Sequence, residues 1–205
     1  PRRLLLRREA RLLRRYEGEV CNRFEGVLVV SEEDRAALRA AASEAAGGDE
    51  TATAAADARF ALVPIALDVG AVAPVARRES AARVLHIGSL IWPPTVDGLA
   101  WFLREVWPLV RARRPACELD VVGGNAPPEI LACGGRDGVR LHGYVADPSP
   151  LLASAAAMVV PLRAGGGMRV RILEGLAREL PIVTTSIGCE GIAAEPGRHL
   201  LVGDE

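Results

Sequence analysis

The chain has 205 residues, half of them hydrophobic and a quarter charged, with a formal net charge of -1. That is an ordinary globular profile for one large domain or two small ones, and its charge balance excludes a dedicated nucleic-acid binder, which is strongly basic. No apolar run approaches the roughly 20 residues of a transmembrane helix, and no secretory signal precedes the fold.

In chain order, residues 1–24 (PRRLLLRREARLLRRYEGEVCNRF) place Leu5, Leu6, Leu12, Leu13, Tyr16 and Val20 at helical spacing, with arginines on the other face. The apolar stripe is expected to pack on a domain. The arginine face is either solvated or set against anionic lipid. GVLVVS (26–31) reads as a short buried strand. SEEDRAALRAAA (31–42) reads as a helix opened by Ser31 and Asp34 in a capping-box arrangement. Residues 42–58 are low in complexity and read as a mobile loop, and FALVPIALDV (60–69) reads as a strand. The Pro- and Ala-rich stretch that follows marks a boundary, with residues 1–68 before it, a connector over 69–81 and a second domain over 82–205.

The second domain alternates regularly. Strands are predicted at RVLHIGSL (83–90), CELDVVGG (117–124), VRLHGYV (139–145), AMVVPL (157–162) and PIVTT (181–185). Helices are predicted at 95–113, 127–134, 148–155 and 169–179, with Pro108 kinking or interrupting the first. Strands separated by helices imply right-handed crossovers and a parallel sheet covered on both faces. Ligands of such sheets bind in loops at the carboxyl ends of the strands.

One such loop lies in PLRAGGGMRVRILE (161–174). Gly165, Gly166 and Gly167 let backbone N–H groups approach a ligand closely, and the helix expected to start near Met168 or Arg169 favours a phosphate at its positive end. Arg169 and Arg171 add charge that grips phosphate oxygens in pairs. Glu174 is acceptor-only when ionised, so it suits a pair of ribose hydroxyls better than a phosphate. The stretch fits a nucleotide diphosphate. The plain alternative is a tight turn, with Glu174 and Arg178 forming an exposed i,i+4 ion pair. Two rival nucleotide motifs fail. GxGxxG needs glycine where Val170 stands, and the lysine-dependent phosphate loop cannot form, because all 25 basic residues are arginine.

Other residues carry less. Cys21, Cys117, Cys133 and Cys189 lie far apart without metal-ligand spacing and read as reduced, mostly buried thiols. Trp101 and Trp107 are expected in the core, whereas Trp92, before Pro93 and Pro94, sits in a loop that reaches the ligand or the solvent. Asp97 is read as complementing a helix start. His86, His142 and His199 are read as packed or surface residues.

The span from RVLHIGSLIWPPTVDGLAWFLREVWPLV to PLRAGGGMRVRILEGLARELPIVTTSIGCEGI resembles family 4 glycosyltransferases of the GT-B fold. The nearest group looks like bacterial sugar transferases of polysaccharide assembly, with the pattern PLRxGGGxRxKILEAxAxGxPVVxTxxGxEG. VVGGNAPPEI, VRLHGYVAD and GCEGIAAEPGRHLLVGD follow in the expected order, and RRYEGEVCNRFEGVLVVSEEDRAAL resembles the end of the partner domain. The resemblance implies an α/β fold with a Rossmann-like parallel-sheet donor domain at 82–205 and, at 1–68, the tail of a truncated, acceptor-side second domain. The chain is therefore expected to be a fragment of a longer protein.

The same resemblance implies retaining, metal-independent transfer of a sugar from a nucleotide-diphosphate sugar to a glycan or lipid-linked acceptor. It implies no cofactor beyond that donor and no nucleic-acid partner. The setting would be cytoplasmic, with peripheral contact at the inner membrane. Glu174 would hold the donor ribose, and the loop from Gly165 through Met168 to Arg169 the diphosphate or sugar. Arg171, in place of the family's lysine, would face the phosphates. Tyr144 and Val145 would meet the base, and Ser89 and Trp92 would line the cleft. The sequence departs from the pattern in places. Gly166 stands where many relatives have the first of two glutamates, PIALDV replaces PNGVD, and Glu179 or Leu180 replaces a glycine. The amino-terminal sheet that supplies a catalytic histidine in many relatives is absent. A non-catalytic nucleotide-binding module and a GT-B-fold sugar-nucleotide epimerase are the alternatives.

Overall fold

The computed structural model describes residues 2–47, 58–72, 74–75 and 82–204, and the chain divides into two units, Pro1–Ala66 and Leu67–Glu205. In the first, α1 (Arg2–Cys21) packs on α2 (Glu32–Ala45). Ser31 caps α2 by accepting the Asp34 N–H at 3.0 Å. Arg14 clasps Glu44 through Nε at 2.9 Å and Nη2 at 2.7 Å. Residues 42–45, read as the start of a loop, continue α2, while 48–57 of that loop and 73 and 76–81 of the connector lie outside the described residues.

Strand β1 (Val27–Val29) pairs in parallel with β2 (Phe60–Leu62) over a small core of Cys21, Val29, Ala42 and Phe60. The strand expected over 60–69 stops at Leu62. Val63 still donates to Val29 O at 2.8 Å, and the regular pairing ends there. The apolar stripe of α1 also departs from expectation, since Leu4, Leu5, Leu6, Leu12, Leu13 and Tyr16 are exposed. Two three-residue strands offer too little sheet to cover a 20-residue helix.

The second unit holds β3 (Arg83–Ile87), β4 (Glu118–Val122), β5 (Val139–Gly143), β6 (Ala157–Val160), β7 (Ile182–Thr184) and β8 (Leu201–Val202), all parallel, in the order β5-β4-β3-β6-β7-β8. Counted within the unit this is 3-2-1-4-5-6, the doubly wound Rossmann order, which reverses between its first and fourth strands. Period-two alternation sends Val84, Leu119, Val121, Val139 and Val159 to one face. Leu85, Val122, Met158, Val160 and Ile182 go to the other.

Leu99, Phe102, Leu103 and Trp107 cover the first face, from a helix in three parts: α3 (Pro93–Trp101), a π turn (Phe102–Val106) and α4 (Trp107–Arg113). Pro108 causes the break. It brings no N–H, and its ring would strike the carbonyl four residues back, so a wider turn precedes it in which the Trp107 N–H reaches Phe102 O. The buried Trp107 donates Nε1–H to Asp137 O at 2.9 Å. Gly98 lets α3 lie against the end of β6, where any Cβ would collide with Pro161 O.

Helices α5 (Pro128–Leu131), α6 (Ser149–Ser154) and α7 (Val170–Ala177) complete the unit. Helix α7 ends in a Schellman turn, with Leu180 N–H donating to Gly175 O and Glu179 N–H to Leu176 O, both at 2.9 Å. The left-handed residue of that turn is Glu179, φ 58°, a position that favours glycine. Toward one end of the sheet, Asp120 is buried between Arg83 Nη1 at 3.1 Å and His142 Nε2 at 2.7 Å.

Candidate functional site

The strand order places the reversal between β3 and β6, so the loops leaving those two strands diverge and open a crevice at their carboxyl ends. Ser89 and Trp92 follow β3, and the glycine triplet follows β6. The two loops meet around a cavity of about 280 Å³ lined by His86, Ser89, Trp92, Thr95, Gly165, Gly166, Met168, Arg169 and Arg171, with apolar walls from Val160 and Leu162.

Gly165 and Gly167 adopt φ of +117° and +82°, which explains why the sequence uses glycine at both. The loop is braced by the residue that follows it. Arg169 Nη1 donates to Gly166 O at 2.6 Å and also to Gly167 O. The sequence reading set the Arg169 guanidinium on a phosphate, but here it clasps the loop's own carbonyls. Helix α7 begins at Val170 rather than at Met168 or Arg169, and no side chain caps its first N–H groups.

Arg171 is the half-buried cation of the site. No hydrogen bond or ion pair joins it to another described residue. Burial pulls its guanidinium below the ordinary arginine range, and the Glu174 carboxylate pulls in the opposite direction. Glu174 itself is exposed and stands outside the cavity lining. It forms no ion pair with Arg178, so the plain reading of that pair does not hold.

Seven expected residues converge on the cavity: Ser89, Trp92, Gly165, Gly166, Met168, Arg169 and Arg171. Gly167 lies on the same loop just outside the lining. Tyr144, expected in a strand, follows Gly143, whose φ of +65° ends β5, and is 82 % exposed. Val145 packs partly on the core. Neither reaches the cavity.

Asp97 lies beyond the first turn of α3 and meets Arg163 Nη1 at 3.8 Å instead of the helix start. Arg163 also stacks over the Trp101 ring at 5.6 Å, so Trp101 forms the rim of the core and Trp107 its buried centre. His86, read as a packed or surface residue, is buried and also belongs to the cavity lining. Its Nδ1 lies 3.1 Å from Val159 O, and its pKa is lowered to about 4 by burial first, with Arg171 adding to the effect against the pull of that hydrogen bond. A polar residue in the apolar strand 83–87, two places before the loop glycine Gly88, is the signal that pointed there.

Among the described residues, no group of three His, Cys, Asp or Glu side chains is placed to hold a metal ion. No helix among them is long and apolar enough to cross a membrane.

Residues 81–205 match the family described as glycosyl transferases group 1. An uncharacterized 44.6 kDa protein of the cps region of Klebsiella pneumoniae is 28% identical over 132 residues, which is 60% of this chain and 34% of that protein. Among solved structures, TarM superposes with a TM-score of 0.68 at 18% identity, over 91% of this chain and 35% of its own. HepE of Anabaena, in complex with UDP and glucose, gives 0.58 at 18% identity, over 90% and 51%. The C-terminal domain of LpcC, a glycosyl transferase group 1 family protein from Francisella tularensis, gives 0.53 at 14% identity, over 68% and 80%. The chain spans about a third of the length of the Klebsiella protein and of TarM.

Proposed function

The chain belongs to the glycosyl transferases group 1 family, and from that membership we propose that residues 82–205 bind the nucleotide-diphosphate sugar of a sugar transfer, with residues 1–68 belonging to an acceptor-side domain. The observation that carries the reading is the meeting, at the strand-order reversal, of a positive-φ glycine loop with a half-buried arginine that has no acceptor among the described residues. A diphosphate supplies what both lack. It offers acceptors to the loop N–H groups and the uncapped start of α7, and charge to Arg171. UDP is the first probe to try, being the nucleotide bound by HepE.

In this proposal Arg169 acts by holding the loop open for phosphate, and Arg171 carries the charge that stabilises the leaving diphosphate as the glycosidic bond breaks. Glu174, one turn beyond Arg171, takes the ribose hydroxyls. Tyr144 and Val145 stand by the base. Transfer runs with retention of configuration and without a metal ion, to a glycan or lipid-linked acceptor at the cytoplasmic side of a membrane. The exposed Leu and Arg residues of α1 suit peripheral contact there.

The test is calorimetric titration with UDP, together with product analysis on the full-length protein supplied with UDP-sugars. Glu174→Ala and Arg169→Ala should each weaken UDP binding, and unchanged affinity in both removes the site assignment. A donor that binds yet is neither transferred nor hydrolysed leaves a nucleotide-binding module in place of an enzyme.

A further inference from the structure

A second hollow, of about 450 Å³, opens at the opposite pole of the second unit. It lies between α4 and the chain that runs from α5 into β5, at the amino ends of β4 and β5, whereas the crevice lies at the carboxyl ends of β3 and β6. These strands hold four or five residues and rise about 3.3 Å per residue, so roughly 15 Å of sheet separates the two. Leu103, Trp107, Pro108 and Val139 supply apolar walls, and all but the proline are buried core residues. Packed interiors leave few voids larger than a water molecule. This one falls within the roughly 300–1,000 Å³ of small-molecule sites.

The hollow is preformed. Its indole wall is fixed by the hydrogen bond from Trp107 Nε1 to Asp137 O at 2.9 Å. The facing turn is held by Gly135 N–H donating to Val139 O at 2.9 Å and Val139 N–H to Arg136 O at 2.8 Å. Three of its residues, Gly135, Asp137 and Gly138, have positive φ, so the turn is tightly wound. The charges in the lining differ in what they touch. Arg111 directs Nη1 to Cys117 O at 2.8 Å and to Pro115 O. The exposed Arg136 guanidinium and Asp137 carboxylate make no side-chain hydrogen bond or ion pair with another described residue.

Apolar walls beside one uncommitted guanidinium fit a ligand with an apolar body and an anionic head. The planar fork of arginine matches a carboxylate through two parallel hydrogen bonds. A phosphate dianion would meet twice the repulsion from Asp137, which shares the lining, so a singly charged head is favoured. We propose that this hollow is a second ligand site, distinct from the crevice, for an apolar carboxylic acid. Arg136 takes the carboxylate, and the tail lies against Leu103, Trp107 and Val139. The site stands independently of the nucleotide-sugar reading.

The experiment is calorimetric titration of the full-length protein with octanoate, and with octanol and octylamine as probes of the same length. Octanoate is expected to bind saturably, octanol more weakly and octylammonium not at all. Arg136→Gln, at an exposed position, should weaken octanoate about tenfold and leave octanol unchanged. Ala132→Trp, which places a ring in the hollow, should abolish the binding of both. Where it does not fold, Ala112→Trp, from α4, replaces it. Location is read from Cys133, a partly exposed thiol of the lining. In a Cys189→Ser background, octanoate should slow the reaction of Cys133 with a thiol reagent. The proposal is overturned by absence of saturable octanoate binding, by equal affinity for octanoate and octanol, or by unchanged octanoate affinity in folded Arg136→Gln. Cys133 labelling that octanoate leaves unaffected also overturns it, because the ligand then binds elsewhere.

Discussion

Replacing Arg171 by methionine is expected to move two measurements in opposite directions. The ligand-free protein holds a half-buried guanidinium that no described residue hydrogen-bonds, and burial already depresses its pKa while Glu174 offsets part of that cost. Methionine keeps the apolar stem and removes the charge. Removing a poorly compensated buried charge is expected to stabilise by about 1 kcal/mol, which raises Tm by about 2–4 °C in a chain of this size. Binding goes the other way. Hydrogen bonds to a charged group are each worth about 1.5–3 kcal/mol, so the Kd for UDP should rise roughly 10- to 150-fold. Arg171→Lys keeps the charge without the planar fork and should fall between wild type and methionine. Thermal unfolding and calorimetry on the same preparations decide the matter. A lower Tm with unchanged UDP affinity would refute the reasoning and make Arg171 a packing residue.

Glu179→Gly should stabilise the protein by about 1 kcal/mol, because glycine relieves the left-handed φ of 58° that any side chain strains. Glu179→Ala keeps that strain, so urea midpoints that shift equally for Gly and Ala would rule the explanation out. His86 also makes stability depend on pH. Its folded pKa of about 4 lies below the ordinary 6.5, so the unfolded chain takes up the proton first. That contribution is complete above about pH 6.5 and is lost as pH falls toward 4, by about 3 kcal/mol over the span. In His86→Phe the slope in this window should flatten when unfolding is followed at several pH values. Finally, Trp107→Phe should cost about 1–3 kcal/mol by leaving Asp137 O without its donor and the core underfilled, readable as a lower urea midpoint.

The α/β alternation was legible because sheet and helix impose different periods on their apolar residues. Val84 and Leu85, neighbours in sequence, had to face opposite layers. The loop glycines were legible for a similar reason, since few residues other than glycine tolerate φ of +117°. What the sequence hid is direction. Nothing local shows that Arg169 turns back on Gly166 O while Arg171, two residues on, faces the cavity. That depends on where the loop closes. His86 was hidden in the same way, because a histidine in an apolar strand reads as core until the strand is known to be the one beside the crevice. The effect of Pro108 was visible and its form was not. Either a kink or a π turn removes the clash, and the packing of Trp107 decides between them.

Gly98 bears on how this region tolerates change over time. The helix after β3 and the chain leaving β6 touch there through main-chain atoms, with no side chain between them. Both walls of the crevice therefore take their spacing from peptide geometry, which substitution elsewhere leaves alone. Substituting residues on the rim, such as Trp92 and Ser89, therefore leaves the gauge of the opening unchanged.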